Sequence, residues 1–188
     1  EYFVSIHAHT PELDAHVTRA PASFKQMKEG VRNLLDAGAR VITNTVVTKD
    51  NYQHLPAIAA FLLDMGIRDA QFWNFIEVGD ATQAEQLVSP VDAMPYLLEA
   101  LELLDAAGAT TLVKWFPRCL LGRFGDRLDN HQPQMLTRDE FQLRIGENFG
   151  FGCIHANRCS AFGRSCDGTH DRHRQVFGDL REALHPFQ

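Results

Sequence analysis

Strand-like and helix-like segments alternate through the first 115 residues, and this alternation constrains the fold more than any other feature. Apolar runs rich in β-branched or aromatic residues predict strands at 2–6, 41–48, 70–76 and 110–115. Amphipathic segments between them predict helices that start at the capping residues Ser23 and Ser89 and near Tyr52. Strands joined by helical crossovers favour an α/β fold with a parallel sheet.

The pattern changes after Pro117. Residues 118–142 have no sustained period, and the glycine-containing loops that follow predict only one helix, at 179–184. We therefore divide the chain into an α/β unit at 1–117 and a loop-rich extension at 118–188. The extension is expected to pack on the sheet and to need a source of stability besides apolar burial.

All four cysteines of the chain lie in this extension. Cys119 follows the fourth predicted strand, and Cys153, Cys159 and Cys166 are spaced C-x5-C-x6-C in a loop-rich segment. Four thiolates can close a tetrahedral zinc site or fill the ligand positions of a [4Fe–4S] cluster. In a cytoplasmic protein this pattern favours a metal over disulfides, and the spacing leaves zinc and iron–sulfur both open.

Polar residues follow the predicted strands at the edge where parallel sheets place their sites. His7 and His9 leave the first strand, Lys49 the second and Glu77 the third, on the same side as Cys119. The H-x-H pair also begins many metal-dependent barrel hydrolases. That activity is an alternative hypothesis, and a zinc-stabilised binding domain without catalysis is another.

Charge and hydropathy exclude several classes of partner. Eighteen basic against 24 acidic residues give a net charge of −6, which offers no general attraction to nucleic acid or anionic lipid. Neither a membrane span nor a secretory signal is present in the sequence, so we expect a soluble, cytoplasmic protein. Because residue 1 is Glu rather than Met and a strand follows at once, we also expect part of a longer protein.

These strands and cysteines together resemble the second half of a radical S-adenosylmethionine (radical SAM) enzyme. The matching segments are 4–12 (VSIHAHTPE), 23–38, 41–55 (VITNTVVTKDNYQHL) and 71–79. In that family they would be the fourth, fifth and sixth strands of a six-stranded partial (β/α)6 barrel. The branch most similar contains the molybdenum-cofactor cyclisation enzymes and the SPASM-type peptide modifiers.

The resemblance implies reductive cleavage of S-adenosylmethionine by a [4Fe–4S] cluster, giving a 5′-deoxyadenosyl radical that removes a hydrogen atom from the substrate. By matching position, Ser5 would approach the ribose or methionine part of the cofactor and Asn44 would contact the cofactor. Phe75, Ile76 and Glu77 would flank its adenine. The substrate would be a small molecule or a peptide, of unidentified structure.

Cysteines for an auxiliary [4Fe–4S] cluster are common in that branch, and the resemblance assigns this role to Cys119, Cys153, Cys159 and Cys166. The family's C-x3-C-x2-C loop, which holds the radical-generating cluster, is absent from the 188 residues. The resemblance therefore predicts a missing N-terminal half-barrel that supplies this loop. It also predicts that the 188 residues alone are inactive, and that they associate through the open edge of the first strand.

Overall fold

The computed structural model describes residues 1–77, 84–130 and 150–188. Over these residues the predicted α/β fold is confirmed, with four parallel strands in the order β1-β2-β3-β4. The strands are β1 Tyr2–Ser5, β2 Val41–Val47, β3 Asp69–Asn74 and β4 Thr110–Lys114. The helices are α1 Pro11–Thr18, α2 Ser23–Asp36, α3 Leu55–Asp64, α4 Pro90–Ala106 and α5 Asp171–Phe177. A second, antiparallel sheet joins β5 Phe151–Gly152 to β6 Thr169–His170.

One face of the main sheet forms the core with the helices. Val47, Phe72 and Val113, on three neighbouring strands, are fully buried among apolar side chains of α3 and α4 such as Leu62 and Leu97. Alternate strand residues share a face, so the apolar positions of each strand turn toward the helices together. A parallel sheet with helices on it is compatible with half of a partial α/β barrel.

The opposite face of the sheet, which we call the polar face, carries a row of residues fixed by the strand register. Ser5 pairs with Asn44, and Asn44 pairs with Gln71. Phe3 and Trp73 lie on the same face, with ring centroids 5.8 Å apart. The register therefore brings two of the residues assigned to the cofactor by resemblance side by side.

Two helix starts differ from the sequence prediction. Helix α1 was not predicted, although Pro11 occupies its first turn and the Thr10 hydroxyl accepts a hydrogen bond from the Leu13 amide (3.3 Å). Ser23 was expected to cap α2 but is its first helical residue, and its hydroxyl donates to Asp14 and to the Ala20 carbonyl instead. No side chain therefore caps α2, because the Ser23 hydroxyl bonds Asp14 and Ala20.

No helix in the described ranges combines the length and apolar composition needed to cross a membrane.

The helix predicted at 179–184 is wrong, and α5 lies just before it. The His170 ring caps α5 by accepting from the Arg172 amide (3.2 Å), and Gly178, with φ of +74°, ends it. Leu184 is buried, so the apolar residues after Gly178 pack against the protein without a helix. The sequence analysis did not treat Gly178 as the end of a helix, because the apolar residues after it favoured a helix at 179–184.

The core continues across residue 117. The buried cluster of the strands also includes Leu121, between two short 3-10 turns, and Phe124, in the second of them. Ala161 and Cys166, further along the extension, belong to it as well. The extension therefore packs on the sheet, as expected, and its buried residues join one core. Residues 131–149 of the extension lie outside the described residues.

Candidate functional site

The residues assigned to the site lie on three neighbouring strands of the sheet or just after one of them. Ser5 ends β1, Asn44 lies within β2, and Glu77 follows β3 by three residues. Cys119 lies in a 3-10 turn after β4. Parallel strands place the loops that follow them at one edge of the sheet, because all their carboxyl ends point the same way.

Asn44 has an acceptor that the protein does not use. The residue is 5% exposed, and its Oδ1 atom is buried with no hydrogen-bond partner among the described residues. Its register partner Ser5 is exposed. A buried polar atom without a partner costs free energy, which a ligand N–H group in hydrogen-bonding distance would recover.

Glu77 has a second unused acceptor at the end of β3. Its Oε2 accepts a hydrogen bond from the Nε of Arg172 in α5 (2.8 Å), while Oε1 is buried and has no partner within the described part of the chain. The segment leading to Glu77 is fixed to the sheet, because the Phe75 amide donates to the Val47 carbonyl (3.1 Å) and Ile76 is buried. Asn44 and Glu77, two of the residues that the resemblance assigned to the cofactor, thus each hold an oxygen without a partner among the described residues.

A lysine and two tryptophans pack together on β3 and at the end of β4, and sequence analysis assigned no function to them. Lys114 is 2% exposed, and its ammonium lies 5.4 Å from the centroid of the Trp73 ring, which meets the Trp115 ring edge-on at 5.1 Å. Burial lowers the pKa of Lys114, while the nearby Asp129 raises it. Trp73 is half-buried on the polar face.

Trp115 has a backbone conformation that its surroundings hold in place. Its φ of +64° is uncommon for a residue with a side chain. Its amide donates to the Asn130 Oδ1 (2.7 Å), and its carbonyl accepts from the Asn74 Nδ2 (3.2 Å). The Nδ2 of Asn130 in turn donates to the Oδ2 of Asp167 (2.8 Å), the residue after Cys166 in the sequence. These bonds connect the end of β4 to the extension.

Three of the four cysteine sulfurs accept hydrogen bonds from backbone amides. Such bonds stabilise negative charge on sulfur and are typical of thiolates that bind zinc or iron. Two of the donors lie two residues after the cysteine, which makes a local turn around the sulfur. The donors are His155 for Cys153 (3.4 Å), Phe187 for Cys159 (3.4 Å), and Arg118 (3.4 Å) and Gly168 (3.3 Å) for Cys166.

Neighbouring thiols affect the pKa values of Cys119 and Cys166 but not that of Cys159. Burial raises the pKa of Cys119, and the neighbouring Cys166 and Cys153 thiols add to the rise against the hydrogen bond from His185. Burial likewise raises the pKa of Cys166, with a further contribution from Cys153. Burial alone would raise the pKa of Cys159, but its backbone hydrogen bonds lower it overall, and no other cysteine contributes. Three of the four thiols therefore lie within electrostatic range of one another.

The predicted four-cysteine centre is not assembled in the described residues. Over 1–77, 84–130 and 150–188 no group of three or more His, Cys, Asp or Glu side chains is arranged to hold a metal ion, and all four cysteines are free. Close backbone packing nevertheless surrounds the thiols. A side chain at Gly168, where φ is +84°, would collide with the Gly152 carbonyl and contact Cys153. Convergence of all four sulfurs on one centre stays a prediction.

His7 and His9 do not act as a pair. The Nδ1 of His7 accepts a hydrogen bond from the Val46 amide (3.2 Å), and burial lowers the pKa of this ring. The His9 ring lies 5.3 Å from that of His54 instead, and burial followed by the charge of His54 lowers its pKa. The hydrogen bond from Val46 thus connects His7, just after β1, to β2. His7 and His9 therefore do not form the pair of metal ligands that the hydrolase hypothesis needs.

The extension also buries a histidine that sequence reasoning missed. His173 is 0% exposed, and neither ring nitrogen has a hydrogen-bond partner among the residues described. Burial first, and then the nearby His170, lower the pKa of His173 to about 4. The one sequence feature that could have indicated a buried His173 is its spacing of three residues from His170. That spacing was not used, because no helix was predicted in this segment.

The comparisons with known proteins give no family assignment. No family model matches the chain, and no curated protein matches it significantly.

Proposed function

We propose that this chain is part of a radical SAM enzyme and that its extension holds an auxiliary [4Fe–4S] cluster. The observation that carries the proposal is the set of amide–sulfur hydrogen bonds to Cys153, Cys159 and Cys166, in the extension that follows a parallel sheet. Backbone donors of this kind stabilise thiolate ligands and tune the potential of a cluster. Cys119, Cys153, Cys159 and Cys166 would supply its four ligands.

Two oxygens support the S-adenosylmethionine part of the proposal. Asn44 Oδ1 and Glu77 Oε1 are buried acceptors without partners in the described ranges, in two of the residues that the resemblance assigns to the cofactor. S-adenosylmethionine has matching donors, because its adenine carries an amino group and its methionine part an ammonium group. The residues present therefore fit the donors of this cofactor.

The hard chemistry would come from the cofactor, since reductive cleavage of S-adenosylmethionine supplies hydrogen-atom abstraction. The residues of this chain would bind and orient. Asn44 and Glu77 would accept hydrogen bonds from the cofactor, and Trp73 and Trp115 would exclude water from the polar face. The ligands of the radical-generating cluster would lie outside these 188 residues.

Iron and sulfide analysis after anaerobic reconstitution tests this proposal. We expect brown protein with about four iron and about four sulfide ions per chain, and we expect Cys→Ser substitution at any of the four positions to remove most of both. Ser160→Ala, an exposed change beside Cys159, serves as the matched control and should keep the full content.

Other outcomes would contradict the proposal in defined ways. A colourless protein that retains stoichiometric zinc would support a zinc-stabilised binding domain instead. Full iron and sulfide in the Cys159→Ser protein would remove Cys159 from the ligand set. Cysteine variants with unchanged metal content throughout would exclude a cysteine-held centre.

A further inference from the structure

One ion pair links the extension directly to the end of β3. Arg172, in α5, donates from Nε to the Oε2 of Glu77 at 2.8 Å, across 95 residues of sequence. The Glu77 side chain is 13% exposed and the Arg172 side chain 36%. This contact is therefore better shielded from water than an ordinary surface ion pair and holds the carboxylate more firmly.

The guanidinium is itself held in one orientation. Its Nη1 donates to the Oε1 of Gln175, one turn further along α5 (3.0 Å). In the described part of the chain, the guanidinium bonds Glu77 through Nε alone. The Glu77 carboxylate is thus fixed through one oxygen only.

A pair that served stability alone would gain by using both oxygens. Arginine and carboxylate groups frequently form two parallel hydrogen bonds, which are stronger than one. Here Glu77 Oε1 is buried and has no partner in the described part of the chain. The arrangement holds the Oε1 acceptor of Glu77 in a defined position, and the unmade hydrogen bond costs free energy.

We propose that Arg172 is a positioning residue, which fixes Glu77 so that Oε1 can accept a hydrogen bond from an amino group of the bound ligand. The inference rests on the proposed function, which makes that ligand S-adenosylmethionine, and adds to it a residue from the cysteine-containing extension. Folding of the extension and affinity at the strand ends are then coupled through this pair.

Binding of S-adenosylmethionine and of adenosine to the full chain, measured by calorimetry under anaerobic conditions, tests the inference. Arg172→Gln should raise the dissociation constant by about 10- to 100-fold, the value of one charge-assisted hydrogen bond. Arg172→Lys should recover part of this loss, because it keeps the charge but not the planar donor. Arg174→Gln is the matched control on the same helix, since Arg174 pairs only with Asp171 and Asp179 among the described residues, and it should change the constant by less than about 2-fold.

A double-mutant cycle separates positioning from other roles. If Arg172 acts through Glu77, the double variant Glu77→Gln, Arg172→Gln should bind no more weakly than Glu77→Gln alone. Additive losses would mean that Arg172 acts independently of Glu77 and would overturn the inference. So would an equal loss in the Arg174→Gln protein, which would indicate a general effect on α5.

The controls also distinguish this inference from the proposed function. Wild-type protein that binds both probes, with Arg172→Gln binding equally well, would overturn the role of Arg172 and leave the cofactor assignment in place. Wild-type protein that binds neither probe would overturn both.

Discussion

The sheet region and the extension are stabilised in different ways. In the sheet region, long strands and helices bury apolar side chains such as Phe72 and Leu97 completely. In the extension, the two strands of the small sheet have two residues each, and the buried side chains include His155, His170 and His173. Buried imidazoles gain less free energy from apolar transfer than Phe or Leu side chains do, so polar contacts contribute a larger share of the stability of the extension.

Removal of bound metal should produce the largest difference in amide-exchange protection between the two regions. If the cysteines hold a cluster or zinc, chelation should lower amide-exchange protection of residues 150–188 by about 1,000-fold or more, because ligand binding there is linked to folding. Protection of β2 and β3 should stay within about 3-fold. Equal loss in both regions would mean that they unfold as one unit, and no loss in either would mean that no metal stabilises the extension.

Truncation of one phenylalanine in each region should give the next largest difference. Phe72→Ala, at a fully buried strand position, should lower the free energy of unfolding by about 3–5 kcal/mol. Phe177→Ala, at a half-buried position in α5, should cost about 1 kcal/mol. Urea denaturation of the two variants measures both values, and comparable losses would remove the proposed difference between the regions.

Acidification should weaken the extension through His173 by a smaller amount. Since the pKa of this histidine is lowered to about 4 when folded, the unfolded chain binds its proton first as the pH falls below 6.5. Its stability contribution is complete above pH 6.5 and falls by up to about 3 kcal/mol by pH 4.

The measurement is the pH dependence of unfolding in wild-type and His173→Phe proteins. The difference between them isolates His173, because burial also lowers the pKa of His7 and His9, which produce a slope of the same sign. Parallel pH profiles for the two proteins would contradict a buried neutral imidazole at His173.

The fold was predictable wherever the signal was local and repeated. The four strands were found within two residues at each end, and the Ser89 cap of α4 is confirmed by the hydrogen bond from Val91 (3.3 Å). Helix α1 was missed because eight residues with a short apolar face give little periodic signal, despite Pro11 and Thr10 at its start. Helix α5 was misplaced because a histidine ring rather than a common capping side chain begins it.

The ends of the strands were predictable from the sequence, but the contacts between them were not. Ser5 ends β1 and Glu77 follows β3, whereas Asn44 lies in the middle of β2, and its pairing with Ser5 follows from the register of the two strands. The conformation of Trp115 and the separation of Cys159 from the other thiols were not predictable, because each depends on packing between distant segments.

The sequence alone determined the parallel α/β sheet, since residue size and polarity repeat with the period of each element and need no knowledge of distant neighbours. Only the tertiary structure decided that Arg172 meets Glu77, that three thiols lie near one another, and that His173 is buried without a partner. These contacts join segments separated by tens of residues, and their geometry follows from how the whole chain packs rather than from any local pattern.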